Sequence, residues 1–177
     1  MGIDDLNHQQ QMSGLANKQP ISHLTKDKQI AIIFDRVAAY NQTHDTSKPL
    51  FFDTETTGSG REDQIIEIAF CDSDRNLIID TLIYTDRPCH PEAFKVHRIH
   101  LHELIGKPTF IDIQPAIVQL IKGRTLYAYN ASFDVRMMRQ SGHKLRLQQV
   151  DVKCLCKQFA DFIGNTHRIL KPIVILA

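Results

Sequence analysis

Two carboxylates separated by a single residue end an apolar run, Pro49-Leu50-Phe51-Phe52-Asp53-Thr54-Glu55. The run reads as a buried strand, and side chains at i and i+2 of a strand point to the same face, so Asp53 and Glu55 converge. Two like charges beside apolar neighbours are costly unless something positive offsets them, and a divalent cation with oxygen ligands is the usual solution. A bare Asp-x-Glu also has a plainer reading, a pair of exposed acids at a strand end, so its surroundings decide. A third acid, Asp134, closes the segment Tyr129-Asn130-Ala131-Ser132-Phe133-Asp134 at the junction of a short strand and a helix. There Asn130 or Ser132 could accept helix N–H bonds, and the helix dipole favours Asp134.

The elements that must hold these residues follow from periodicity and turn chemistry. Strands are expected over 49–54, 64–71 and 76–84, the last two joined by the turn-like Asp72-Ser73-Asp74-Arg75, which makes a three-stranded meander. A helix over about 111–122, a short strand over 125–129, and helices over about 132–142 and 152–162 complete an α/β pattern. Upstream, Ile30, Ile33, Phe34, Val37 and Ala38 fall at helical spacing with Thr25 as a possible N-cap, so an amphipathic helix should run to about Tyr40. Residues 1–23 are rich in Gln, Asn, His and Ser without periodicity and read as a polar tail, and Asn41 to Lys48 read as a linker. The expected organisation is a tail, helix and linker over 1–47 and one domain over 48–177.

Composition narrows the function classes. With 177 residues, 42% apolar and 23% charged, the chain is long enough for one well-packed domain. No apolar run approaches the roughly 20 residues that cross a bilayer, and the first residues lack the basic start and apolar stretch of a secretory signal. The expectation is no membrane and a cytoplasmic address. Cys71, Cys89, Cys154 and Cys156 form no C-x-x-C pair and read as reduced thiols; on a helix, Cys154 and Cys156 would point about 200° apart. Charge is uneven: residues 1–86 hold 7 Lys/Arg against 14 Asp/Glu, and residues 87–177 hold 14 against 6. An acidic half that could hold cations beside a basic half that could attract phosphates suits a metal-dependent nuclease.

The segment Phe51-Phe52-Asp53-Thr54-Glu55-Thr56-Thr57-Gly58 resembles the first motif of the DEDD-type 3'-5' exonucleases, and Tyr129-Asn130-Ala131-Ser132-Phe133-Asp134 resembles their H/Y-N-x-x-F-D motif. Between them, Asp86 to Ile99 and Lys107-Pro108-Thr109-Phe110 look like the RNase T and DNA polymerase III epsilon proofreading-subunit family, with Arg98 where Gly is usual. The resemblance covers about residues 48–163. It implies a ribonuclease-H-like mixed sheet flanked by helices, and two Mg²⁺ or Mn²⁺ ions held by Asp53, Glu55 and Asp134 as catalytic metal ligands. It also implies contacts from Thr56, Thr57, Glu92, His97, Asn130 and Phe133 to the 3' end of single-stranded DNA or RNA, with a DNA polymerase subunit as a possible partner. The implied reaction releases nucleoside 5'-monophosphates, with DNA the favoured substrate.

His97, His100 and His102 are not expected to bind zinc, because spacing supplies no further ligand on the same face. Glu67 is expected to face outward or meet a basic partner. Lys95, Arg98, Arg136, Arg139, Lys144 and Arg146 are candidate phosphate contacts. The family's third motif, H-x-A-x-x-D, supplies a general base and a final metal carboxylate, and these 177 residues do not contain it. The nearest match, His167-Arg168-Ile169-Leu170-Lys171-Pro172, has the His as a weak candidate base but Pro where the Asp should stand. Loss of the end of the chain or a frameshift near His167 would explain this. The expected activity is therefore weak or absent, and the alternative is a non-catalytic nucleic-acid-binding remnant of such an exonuclease.

Overall fold

The computed structural model describes residues 21, 23–145, 147 and 150–162, so residues 1–20 and 22 of the polar tail, Arg146 and His167 lie outside the described residues, while Ile21 at the end of that tail is buried against the core. Among the described residues, no helix is long and apolar enough to cross a membrane. Five strands form one mixed sheet: β1 (Leu50–Thr56), β2 (Ile65–Asp72), β3 (Leu77–Leu82), β4 (Leu126–Ala128) and β5 (Val152–Cys154), in the order β3-β2-β1-β4-β5. The meander β1–β2–β3 is antiparallel, as its short turns require, whereas β4 runs parallel to β1 and β5 parallel to β4. The helices are α1 (Lys26–Thr43), α2 (Pro91–His97), α3 (Phe110–Ile121), α4 (Ala131–Ser141) and α5 (Leu155–Phe162), with a 3₁₀ turn over Leu101–Leu104.

The strict alternation along β1 divides the molecule. Leu50, Phe52, Thr54 and Thr56 are buried, while Phe51, Asp53 and Glu55 are half-buried on the other face. On the buried side Phe52 stacks on Phe70 of β2 with ring centroids 5.4 Å apart. That contact contributes about 0.5–1.5 kcal/mol beyond the area it removes from water. Ile33, Val37 and Tyr40 of α1, Ile113, Ile117 and Leu120 of α3, and Met137 and Met138 of α4 complete the same cluster. The first turn of α3 carries a capping box: Thr109 Oγ1 accepts from the Asp112 N–H, and Asp112 Oδ2 accepts from the Thr109 N–H at 2.7 Å. Thr25 occupies the N-cap position of α1 but its side chain makes no cap bond.

Arg124, before β4, is 2% exposed. Its guanidinium donates to the carbonyls of Leu120, Asp45, Lys48 and His44 and to Asn41 Oδ1, at 2.7 to 3.5 Å. It also sits over the Tyr40 ring. One buried cation thus ties α1, the linker into β1 and the end of α3 together.

Two elements differ from the sequence pattern. No element is expected between Tyr84 and Ile111, yet α2 lies there. It starts at Pro91, ends where Arg98 turns left-handed (φ 59°), and buries none of its residues, so it shows no apolar period. The helix expected over 152–162 is instead β5 followed by α5. Three residues carry no readable alternation, and β5 exists because β4 offers it an edge 26 residues away in the chain, Ala128 opposite Cys154. Cys154 therefore ends a strand, and its thiol donates to the Tyr129 carbonyl.

Candidate active site

The site lies at the carboxyl ends of β1 and β4. These strands pair only at Leu50–Leu126 and Phe51–Tyr127. Beyond that α4 begins, and its first turn carries Asp134. Asp134 is 3% exposed, and Thr54, on the buried side of β1, donates its hydroxyl proton to Asp134 Oδ1 at 2.7 Å. Asp53 and Glu55 project from the opposite side of the same strand. All three acids line a cleft of about 1430 Å³, together with Thr56, Gly58, His90, Glu92, His97, Tyr129, Asn130 and Phe133.

The electrostatics are those of acids without a counter-charge. Burial, then Asp53, Glu67 and Asp134, push Glu55 up to about 7. Burial pushes Asp134 up to about 6, with Asp53 adding to the effect and the Thr54 hydrogen bond opposing it. Burial also raises Asp53, against a hydrogen bond from the Thr54 backbone. Among the described residues none of the three pairs with Lys or Arg. Carboxylates facing one cleft without a cation are the donor chemistry that a hard divalent ion takes. As they stand, no three His, Cys, Asp or Glu side chains among the described residues are grouped closely enough to hold an ion.

Glu67 corrects an expectation. Antiparallel register sets it opposite Glu55, on the same face, and burial with Asp80, Asp53 and Glu103 nearby lifts it to about 7. Among the described residues it meets acids and no basic partner, because register across two strands, invisible to spacing along one, decides its neighbours.

One wall of the cleft is α2, tied to the end of β1. The His90 N–H donates to the Thr57 carbonyl at 2.7 Å. His97 Nδ1 accepts from the Ile99 N–H at 2.9 Å, so a neutral ring carries its proton on Nε2, 3.5 Å from Cys89 Sγ. Burial lowers the His97 pKa, and a hydrogen bond to the Thr56 backbone opposes that shift. Glu92 is exposed and pairs with Lys95 at 2.7 Å. Thr56 Oγ1 donates to the Gly58 carbonyl. Thr57 is fully buried and does not line the cleft; its hydroxyl donates to Asp63 Oδ1 and accepts from the Gln64 N–H. Asn130 is the N-cap residue of α4, but its side chain makes no cap bond and instead accepts from the Ser132 hydroxyl.

A clamp escaped the sequence reading. Arg136, a candidate phosphate contact by sequence, donates to the carbonyls of Ser59 and Gly60 and lies over the Phe133 ring. Gln140, one turn on, donates to the carbonyls of Gly60 and Asp63. The i, i+4 spacing of Arg136 and Gln140 was visible, but their shared partner, the loop after β1, was not. Lys95, Arg98, Arg139 and Lys144 are exposed.

A mixed sheet in the order 3-2-1-4-5, flanked by helices, is a ribonuclease-H-like fold. The zinc-bound complex of E. coli exonuclease I with single-stranded DNA shares the fold, with a TM-score of 0.54 at 17% identity over 72% of this chain and 32% of that one. The product-bound structure of exonuclease I gives the same TM-score at 19% identity, over 72% of this chain and 34% of that one. Within that class the chain belongs to the RNase T exonuclease family, whose profile matches residues 50–170. It is 44% identical over 91 residues to the DNA polymerase III subunit epsilon of Treponema pallidum (strain Nichols), covering 49% of this chain and 42% of that protein. It is 31% identical over 121 residues to the E. coli (strain K12) subunit epsilon, covering 63% and 50%. An uncharacterized exonuclease of Escherichia phage 186 is 35% identical over 92 residues, covering 52% and 47%. The chain thus spans about half the length of these curated relatives.

Proposed function

We propose that this protein hydrolyses single-stranded nucleic acid, DNA by preference, from its 3' end to nucleoside 5'-monophosphates, with Mg²⁺ or Mn²⁺ as cofactor. The observation that carries the reading is three carboxylates, from two elements, that line one cleft and pair with no Lys or Arg among the described residues. Asp53, Glu55 and Asp134 would hold the ions, which supply Lewis-acid stabilisation of phosphate charge and a nucleophilic water at neutral pH. The α2 wall, with Glu92 and His97, and the α4 entrance, with Asn130 and Phe133, would place the terminal nucleotide. Its Nε2 proton makes His97 a donor toward the cleft wall and the loop after β1, a positioning role. Backbone around Thr56 and Thr57 would meet the 3' terminus, since both hydroxyls are engaged within the loop. Such an enzyme fits a cytoplasmic setting and association with a DNA polymerase.

The 177-residue polypeptide is expected to turn over slowly, because its sequence holds no H-x-A-x-x-D. A missing general base commonly costs about 10²- to 10⁴-fold. The same observation favours a second reading, a module that binds nucleic acid without cleaving it.

Release of labelled mononucleotides from 3'-labelled single-stranded DNA with Mn²⁺ tests the proposal, with Asp53→Ala/Asp134→Ala as control. Slow release that falls by on the order of 10³-fold in the double variant is expected, the scale of losing metal-ion stabilisation. Salt-sensitive binding without product would overturn it in favour of the binding module.

A further inference from the structure

We infer that Thr54 is a positioning residue for Asp134, and so for the metal site; this rests on the metal-dependent reading above. Thr54 stands between Asp53 and Glu55 yet faces the other side of β1, toward α4. Its hydroxyl donates to Asp134 Oδ1 at 2.7 Å, with Thr54 8% and Asp134 3% exposed. Among the described residues no other side chain donates to that carboxylate. A buried, β-branched Thr in a strand has few χ1 rotamers open to it, so its hydroxyl oxygen is held beside Asp134 Oδ1 and fixes the position of that carboxylate oxygen. Asp134 belongs to a helix that starts where β1 and β4 stop pairing, and the Thr54 bond links it directly to the strand carrying the other two acids. One tripeptide then presents two acids on one face and orients the third from the opposite face. Outer-sphere hydrogen bonds of this kind fix the orientation of ligating groups.

The test is Mn²⁺ affinity of the whole polypeptide, read from the electron paramagnetic resonance of free Mn²⁺, beside thermal melting of the metal-free protein. Thr54→Val removes the hydroxyl, keeps the branched shape and favours a strand. It should bind Mn²⁺ about 10- to 100-fold more weakly, the range for losing a partner of a metal ligand. Thr54→Ser should bind within about threefold of wild type. In an Asp134→Asn background, Thr54→Val should add no further loss, which a merely structural role would not predict. If Thr54→Val does not fold, Thr54→Ser against Thr54→Ala, which differ only by the hydroxyl, decides in its place. Wild-type affinity in Thr54→Val, while Asp53→Ala/Asp134→Ala loses Mn²⁺, overturns the Thr54 inference alone. Equal affinity in wild type and that double variant overturns the metal reading, and the Thr54 inference with it.

Discussion

Glu55 is held where its charged form is disfavoured, and that has a thermodynamic sign. Its folded-state pKa, pushed up to about 7, lies above the ordinary glutamate value of 4.5, so the folded state binds more protons than the unfolded state in between. Stability of the metal-free protein should therefore fall as pH rises from about 4.5 to about 7, and Glu67 adds to the trend in the same window. Urea midpoints at pH 5 and pH 8 measure it, and Glu55→Gln should flatten the difference. A divalent ion that binds only the folded state should raise the pH 8 midpoint. The carboxylates at Asp53, Glu55 and Asp134 were legible in the sequence because motif and spacing are local properties. The setting of Glu67 and the partner of Asp134 were not, since both come from residues brought together across strands or from β1 to α4.

Elements were legible in proportion to how local their causes are. The meander, α1, α3 and α4 announced themselves through alternation, helical spacing and turns, to within about three residues at each end. The missed α2 hides nothing apolar, and β5 depends on β4 as a template. Arg124 gave no local signal, because its acceptors lie four residues upstream and about 80 residues away. Arg124→Ala should cost about 2–4 kcal/mol, the scale of several buried charge-assisted hydrogen bonds lost together. Chemical denaturation would show it. In the loop after β1, a Cβ on Gly58 would come within 2.6 Å of Asp63 Oδ2, the carboxylate that also accepts from the Gly60 N–H. Gly58→Ala should thus shift the loop held by Arg136 and Gln140. The expected outcome is a higher KM for single-stranded DNA, with a smaller change in kcat.

At the scale of the molecule, the cleft takes residues from both halves of the chain, Asp53 and Glu55 from the acidic one and His90, His97 and Phe133 from the basic one. The basic half also carries the exposed Lys95, Arg98, Arg139 and Lys144, which do not line the cleft. Binding of single-stranded DNA should fall with salt at a slope of about −0.7 per phosphate neutralised, or about 20-fold from 50 to 200 mM for three contacts. A titration monitored by fluorescence anisotropy gives the slope, and charge reversal at Arg139 or Lys144 should lower it.

The alternation of β1 has a consequence for how this gene can change. With period two, any insertion or deletion of one residue between Leu50 and Asp53 exchanges the faces of everything after it. Asp53 and Glu55 would be driven among Phe70, Ile68 and Met138, and Phe52 would be turned out into the cleft. Substitutions in this strand can be graded, but a change in its length cannot. The acids of the cleft and the core therefore share one reading frame along seven residues.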